Sequence, residues 1–546
     1  MKRITAPLLV VFGVFALCFA AVRPPQELQS NLAEVVIADG ELSKSVSAID
    51  GFLEAQWQTE GLVPAADADE LQVLRRLALS LMGTVPSLEE VRQFEADEAP
   101  DRLERWTFRY LQDDRFADYF AERLARSFVG VEGGQFVIFR RDRFVAWLAE
   151  QLRQNTPYDQ MIREMVASEG LWTGEPASNF ITSAVADGNL DHNKLAARSA
   201  RAFLGQSIDC AQCHDHPFNA NLKQADFAGL AGQFGRVEVA ALGVHEMSMS
   251  GPDMQARKKK KDNDEDEEAD KPIPDPVVPF GQDWLPGDGT TRQKFAAWLT
   301  HAENRRFERA ITNRVWGLMF GRPCVDPVDD MPDPPVADQP DLLDVLGTDF
   351  REHGYDLRHL IQTIAASRAF RLESTHPTTD SGELAATEEA WAVFPLTRLR
   401  PEQIIGSIIQ ASWVQTVDQN SHLFVRFQRF TKENDFIKEY GDLGDQELDE
   451  QTGTIPQALL RMNSDVTRDA IKSEMMSTSG RIASMCRDDE SIVDTAYLIC
   501  FCRKPTPPER EHFLTQLSGA SKNEKNRVVE DLFWALFNSP EFSWNH

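Results

Sequence analysis

The stretch that decides the fold runs from Lys194 to Phe218 and reads KLAARSARAFLGQSIDCAQCHDHPF. Its first half has apolar residues at helical spacing, which predicts a helix over residues 194–206. Its second half places two thiols and two imidazoles within seven residues, and Pro217 prevents the helix from simply continuing. The sequence therefore predicts a chemically reactive loop where a helix ends.

Cys210-Ala-Gln-Cys213-His214 is a C-x-x-C-H string, the spacing of c-type haem attachment. In that chemistry the two cysteines add across the vinyl groups of the porphyrin, and His214 ligates the iron. Haem c is the cofactor that the string favours. Two other interpretations stay open from the residues alone.

The first alternative is a non-haem site, because His216 turns the cysteine pair into a Cys2His2 set. Cys210, Cys213, His214 and His216 would then bind zinc or iron, with His214 and His216 as the imidazole ligands. The second alternative is a local disulfide between the two cysteines. The three interpretations give an electron carrier, a metal-dependent enzyme and a non-catalytic scaffold, respectively.

Two accessory roles follow from the haem and metal interpretations. Asp215 either orients a ligand imidazole or is an ordinary loop acid. A distal iron ligand has to come from elsewhere, since His216 is too close in the chain to reach the opposite face of the iron. The nearest candidates in sequence are His192, His245, Met247 and Met249.

The N-terminus predicts export. Lys2 and Arg3 precede an uncharged run over residues 6–22, and Ala20 and Ala21 stand where a signal peptidase cuts. The run is shorter than the ~20 residues that span a bilayer, which favours a cleaved signal peptide over residues 1–21. The expected location is periplasmic or extracellular, with an uncleaved membrane anchor as the alternative.

Composition limits the partners. The formal net charge is −29, which argues against nucleic acid and anionic membrane surfaces. We expect a redox partner or another secreted protein, with membrane contact only through an uncleaved signal segment. The six cysteines beyond the signal are too few for a disulfide framework in a chain of 546 residues.

Hydrophobic periodicity predicts a mainly α, multi-helical, two-domain protein with a small β element near residues 237–280. A leader over 22–68 contains at most one short helix, and order is expected from Asp69. The helical domain with the C-x-x-C-H string covers 69–250, and a second helical domain covers 281–546. Between them, residues 251–280 are rich in charge and proline, which predicts a disordered linker.

A second polar group lies in the C-terminal half. Asn313 and Arg314 are on a predicted helix, and Asp326, Asp329 and Asp330 follow in a proline-rich loop. The carboxylates suit a calcium site or an acid/base pair. A salt-bridged network that fixes the loop is the stronger interpretation. Hydrolase and nucleotide-binding motifs such as G-x-S-x-G or a Walker loop are absent from the sequence.

Several segments of the sequence resemble two domains that occur together in one family of proteins. FLGQSIDCAQCHDHPF, QADFAGLAGQF and the upstream VLRRLALSLMGTVPSLEEVRQFEAD resemble the secreted planctomycete-type cytochrome-C-like domain of unknown function. NRVWGLMFGRPCVDPVDD, PDLLDVLGTDFREHGYDLRHLIQTIAASRAF and RLRPEQIIGSIIQAS resemble the planctomycete-specific C-terminal domain that follows it. The similarity covers most of residues 70–515, in the same order.

The resemblance implies export and a haem-like motif, but no demonstrated reaction. Many relatives carry a separate N-terminal cytochrome-like domain with its own C-x-x-C-H string. Residues 23–68 here contain no cysteine, so the expectation is at most one covalent haem.

Overall fold

The computed structural model describes residues 39–134, 137–186, 188–217, 219, 222–247, 274–336, 338–418, 421, 423–444, 448–449, 453–474 and 477–546. These ranges contain 24 α-helices and three two-stranded antiparallel sheets, which confirms the predicted mainly α fold. The predicted signal peptide, residues 1–21, lies outside the described residues.

The first half of the chain is a series of helices with two small hairpins. Its helices are α1 Asp39–Glu60, α2 Glu70–Met82, α3 Leu88–Ala96, α4 Arg102–Leu111, α5 Asp114–Val129, α6 Arg141–Arg153, α7 Tyr158–Ala167, α8 Asn179–Thr182, α9 His192–Leu204 and α10 Gln224–Gly232. The hairpins are β1 Val185–Ala186 with β2 Asn189–Leu190, and β3 Val237–Ala240 with β4 Gly243–Glu246.

The second half is helical to its end apart from one short strand pair. Its helices are α11 Thr291–Leu299, α12 Arg305–Phe320, α13 Leu342–Glu352, α14 Leu357–Ala366, α15 Arg368–Arg371, α16 Ser381–Glu389, α17 Pro401–Ala411, α18 Leu423–Tyr440, α19 Ile455–Asn463, α20 Asp465–Ile471, α21 Thr478–Met485, α22 Asp489–Phe501, α23 Pro507–Leu517 and α24 Lys522–Asn538. The strands are β5 Thr397–Arg398 and β6 Trp544–Asn545.

Local signals set many helix ends where the sequence predicted them. Asp69 accepts a hydrogen bond from the backbone of α2, and Gly83 ends that helix with a left-handed φ of 67°. Ser87 and Glu90 form the predicted capping box of α3. The strand pair β3–β4 confirms the predicted β element near residue 237.

The leader contains more structure than predicted. Helix α1 has 22 residues rather than one short turn, and order begins well before Asp69. Its face of Ile49, Leu53 and Trp57 is buried in the largest core. The hydrophobic periodicity of α1 is weak, because much of the helix surface is polar. Packing against other helices therefore stabilises α1, and its own sequence pattern does not reveal it.

Hydrophobic spacing over 102–126 and over 357–370 would suit one helix in each range, but each range holds two. The first divides into α4 and α5, because Asp113 caps a new helix by accepting from Arg115 N. The second divides into α14 and α15 at Ser367, whose extended backbone has φ −62° and ψ 150° and whose hydroxyl donates to Ile364 O at 2.7 Å.

The predicted disordered linker is wrong for its last part. Residues 251–273 lie outside the described residues, but residues 274–280 pack on the protein. Val277 N donates to Gly229 O at 3.2 Å, and Val278 is only 1% exposed. The apolar Val-Val-Pro-Phe run supplies the surface that the charged run lacks.

Two hydrophobic cores cross the predicted domain boundary. The largest takes side chains from Ile49 to Leu448, on both sides of the charged segment. The second is built from α17 and the C-terminal helices, and it includes Leu79 of α2. Gln403 of α17 donates to Leu79 O at 3.0 Å, so α2 contacts helices from both halves of the chain.

A buried ion pair reinforces this connection. Arg123 of α5 donates to the Glu402 carboxylate of α17 at 2.5 Å, and Arg400 donates to the same carboxylate at 2.9 Å. Burial alone raises the pKa of Glu402, but the two guanidinium groups outweigh it and leave the pKa below its usual value. The carboxylate is therefore ionised in the core.

Replacing Glu402 with Gln should destabilise the whole protein. The substitution removes the buried negative charge that both guanidinium groups contact, which costs about 3–5 kcal/mol. Urea unfolding should show this loss, whereas Asp465→Asn, in an exposed pair with Arg468, should change stability by no more than ~0.5 kcal/mol. A loss below ~1 kcal/mol in Glu402→Gln would show that the pair does not join the halves.

Candidate cofactor-attachment loop

Helix α9 delivers the C-x-x-C-H string to the surface. Asp191 caps its start by accepting from Lys194 N at 3.0 Å, and Leu195 and Phe203 are fully buried. Gly205 ends the helix with a φ of 61°, a conformation that glycine adopts without strain. The chain can thus leave a fixed helix and turn at a defined point.

The string itself forms a short turn. Residues Asp209–Gln212 make one 3₁₀ turn, with Ile208 and Ala211 buried at 2% and 1% exposure. Cys210 lies within this turn and Cys213 directly follows it. Both cysteines are exposed.

The cysteines are not paired with each other. All six cysteines of the described ranges are free thiols, and Cys210 and Cys213 are the two that are exposed. The local disulfide is therefore not formed in this structure. The arrangement leaves both sulfur atoms accessible to an external reactant.

The imidazole of His214 has a defined proton. Its Nδ1 lies 2.7 Å from the backbone oxygen of Asp215. A carbonyl oxygen only accepts, so Nδ1 carries the proton and the lone pair of the neutral ring is on Nε2. This is the tautomer in which a histidine binds a metal through Nε2 while its other nitrogen is oriented by a carbonyl.

His216 has the opposite arrangement. Its Nδ1 accepts a hydrogen bond from Asn219 N at 3.0 Å, so the proton of the neutral ring is on Nε2. The one set of three or more close metal-ligand atoms among the described residues lies elsewhere. The structure therefore does not bring Cys210, Cys213, His214 and His216 together around one point.

Asp215 does not orient an imidazole with its carboxylate. That carboxylate accepts from Gln224 N at 3.1 Å and pairs with Lys223 at 3.4 Å. The backbone N–H of Gln224, with a smaller effect from Lys223, lowers the pKa of Asp215. The Asp215 carboxylate points to the N-terminus of α10, because the backbone N–H groups there attract a negative charge.

Gln224 was not predicted as part of the site. Its side-chain amide lies 3.2 Å from Cys213 O and 3.4 Å from Gln212 O, so it fastens the string to α10. The QADFAGLAGQF segment was recognised by resemblance, but spacing alone does not show that its first residue contacts the loop.

The described contacts of His192, His245 and Met247 do not include the string. His192 is at the N-terminus of α9, about 18 Å along the helix from Leu204. His245 lies on β4 and faces Glu238 at 3.6 Å. Met249 is outside the described residues, and Met247 donates its backbone N–H to Arg236 O.

The second polar group contacts the same loop. Met331 N donates to Gly205 O at 2.7 Å, and Asp330 accepts from Ser207 N at 3.2 Å. The loop after α12 therefore supports both the end of α9 and the start of the string. Sequence analysis named Asp330 but did not predict this contact.

The remaining members of that group make two separate contacts. Arg314 pairs with Asp329, and Asn313 makes two hydrogen bonds with the backbone of Val325, at 2.7 and 2.9 Å. Burial, then the nearby carboxylates of Asp326 and Asp329, raise the pKa of Asp449. The salt-bridged loop and the calcium site both stay predictions.

Other surface features lie away from the string. A cavity of about 660 Å³ is lined by Pro505, Pro507, Arg510, Glu511, Leu514, Thr515 and Ser518, all in the C-terminal segment. Among the described residues, none of the helices has the length and apolar character needed to cross a bilayer.

Fold and loop together define a class: mainly helical proteins that present a C-x-x-C-H string at a helix end. Residues 48–239 match the family model PSCyt2, a protein of unknown function (DUF1549), and residues 291–435 match PSD1, a protein of unknown function (DUF1553). The chain thus combines a PSCyt2 segment, which contains the string, with a PSD1 segment, which contains Asn313 to Asp330. Neither the curated proteins nor the solved structures give a match.

Replacing Gln224 with Ala should loosen the loop without unfolding the protein. The change removes two hydrogen bonds from the backbone of residues 212–213, and Gln224 is exposed, so global stability should fall by no more than about 1 kcal/mol. Hydrogen exchange followed by mass spectrometry should show faster exchange in residues 207–217. Gln516→Ala, an exposed change in α23, is the control, and equal exchange in both variants would contradict the role of Gln224.

Proposed function

We propose that Cys210, Cys213 and His214 attach a c-type haem and that the protein is an exported electron carrier. The observation that supports this most directly is the proton position of His214. Its Nδ1 donates to a backbone carbonyl, so Nε2 offers a lone pair, and the two thiols of the same string are free and exposed. The donor set fits this group in residue type, order and protonation.

The chain supplies the attachment chemistry through the two thiols. Each S–H adds across one vinyl group, so that a carbon–sulfur bond forms and the hydrogen goes to the other vinyl carbon. This addition needs no oxidant, and it requires the reduced thiols that the structure contains. When bound, the haem would supply one-electron transfer.

The surroundings of the string hold the three residues in place. Gly205 and Ser207 are tied to Met331 and Asp330, while Gln224 fastens the other side to α10. A ligand loop fixed at both ends changes little in geometry between two oxidation states. That property favours electron transfer, because little protein reorganisation accompanies a change of charge.

Charge points to the kind of partner. The chain carries a net charge of −29, and the string is flanked by the exposed acids Asp209 and Asp215. We infer a redox partner whose docking face is cationic, since opposite charges steer association. Export, predicted from residues 1–21, places this partner in the periplasm or outside the cell.

The zinc or iron enzyme is a weaker proposal. It requires His216 as a ligand, but the Nδ1 lone pair of His216 is used by Asn219 N. A scaffold without a cofactor gives the exposed thiols no role. The experiments below distinguish the metal enzyme and the scaffold from the haem protein.

The full chain should acquire covalent haem when it is produced in a bacterium that exports it and contains the cytochrome c maturation machinery. We expect haem staining on a denaturing gel and a Soret band from the purified protein. The double variant Cys210→Ser/Cys213→Ser should lose the stain, because both points of attachment are removed. Cys486→Ser, at a half-buried cysteine elsewhere, should keep it.

Colourless wild-type protein, in cells where a known c-type cytochrome is loaded, would overturn the proposal. Zinc or iron that is retained by this colourless protein and lost in Cys213→Ser would instead establish the metal site. If the protein contains neither haem nor metal, a non-catalytic scaffold protein is the interpretation that remains.

The two histidines of the string should behave differently. His214→Ala should lose the wild-type absorption spectrum of the reduced protein, because the Nε2 ligand is gone, whereas His216→Ala should keep it. Absorption spectra of matched preparations test this. A spectrum that depends on His216 and not on His214 would show that the ligand assignment is wrong.

A further inference from the structure

A second cluster of metal-binding side chains lies where three helices meet. Asp349 is near the end of α13, His353 follows directly after that helix, and His359 is in the first turn of α14. One nitrogen of each imidazole and one carboxylate oxygen all lie within 4.8 Å of one another. Ser45 of α1 reaches the same point from the opposite side.

The distances are those of neighbouring ligands around one ion. Asp349 Oδ2 is 3.1 Å from His359 Nε2, and Asp349 Oδ1 is 3.3 Å from His353 Nδ1. Metal–ligand bonds of 2.0–2.1 Å in a tetrahedron separate neighbouring ligands by about 3.3 Å. His353 Nδ1 also lies 2.8 Å from the backbone oxygen of Asp349, so metal binding through Nδ1 would replace that hydrogen bond. The two imidazole rings are stacked, with centroids 3.8 Å apart.

The cluster is accessible from water. The side chains of Asp349, His353 and His359 are 14, 24 and 13% exposed, so an ion can enter. Glu41 Oε2, 3.7 Å from His353 Nε2, is a further carboxylate at the entrance.

The geometry does not fit a nucleophilic serine. Ser45 and Asp349 both contact the same nitrogen, His359 Nε2, at 3.2 and 3.1 Å. In a catalytic triad the acid and the serine contact opposite nitrogens of the histidine. Ser45 is also buried, which keeps substrates away from its hydroxyl.

We propose that Asp349, His353 and His359 bind a divalent transition-metal ion, with zinc as the best-suited ion and water or Glu41 as the remaining ligand. Two imidazoles and one carboxylate suit zinc or a related ion and do not suit calcium or magnesium, which prefer all-oxygen sites. Ser45 is a positioning residue, because its hydroxyl donates to the Asp349 carboxylate. The ion would fasten α1 to α13 and α14, independently of the C-x-x-C-H loop.

The test uses the Cys210→Ser/Cys213→Ser protein, so that the loop thiols contribute no ligands. After removal of metal with a chelator, titration with Zn²⁺ against a competing chromophoric chelator should give one tight site per chain. His359→Ala and, separately, the more exposed His353→Ala should each weaken Zn²⁺ binding at least about 100-fold. Ser45→Ala should weaken it about 10- to 100-fold, as expected for a residue that orients a ligand.

His512→Ala, an exposed histidine of α23, is the matched control and should leave binding unchanged. Zn²⁺ should also slow hydrogen exchange in α1 of the parent protein and leave it unchanged in His353→Ala. Absence of tight Zn²⁺ binding in the parent, an affinity in both histidine variants equal to that of the parent, or equal preference for Ca²⁺ would each overturn the proposal.

Discussion

One backbone hydrogen bond, from Met331 N to Gly205 O, determines where the reactive loop begins. It joins the end of α9 in the PSCyt2 segment to the loop after α12 in the PSD1 segment. A Cβ atom at position 205 would lie 2.3 Å from Met331 Cε, and the backbone there has a positive φ. The left-handed backbone is what favours glycine here, since the flexible end of the Met331 side chain can move aside, and the direction of the Cys210–His214 turn depends on this residue.

The features that sequence predicted well are those with local causes. The caps of α2 and α3, the end of α9 and the β3–β4 hairpin each depend on residues a few positions apart. The C-x-x-C-H string was also visible, because attachment chemistry depends on spacing. Interruptions at Asp113 and Ser367 were not predicted, since the hydrophobic period continues through both. At Asp113 the capping contact of one side chain decides the break, and at Ser367 the backbone becomes extended.

The other features of the candidate site depend on the fold and could not be predicted from the sequence. Sequence cannot assign a proton to His214 or His216, because the partners are backbone groups whose positions depend on the fold. Asp330 contacts Ser207, just before the string, from 123 residues away, and Gln224 contacts Cys213 from 11 residues away. Asp349 and His353 have the four-residue spacing of a helical metal pair, but His359 and Ser45 join them only through helix packing.

The shared second core has a consequence for biogenesis. Leu79 of α2 is covered by α17 and the C-terminal helices, more than 300 residues further along the chain. While the polypeptide is being made, this apolar surface remains in water until those helices emerge. The second core of this protein is completed only after its C-terminal helices have been made. Such a protein would suit an export route that carries the chain unfolded, or a chaperone that covers α2, better than it would suit folding segment by segment.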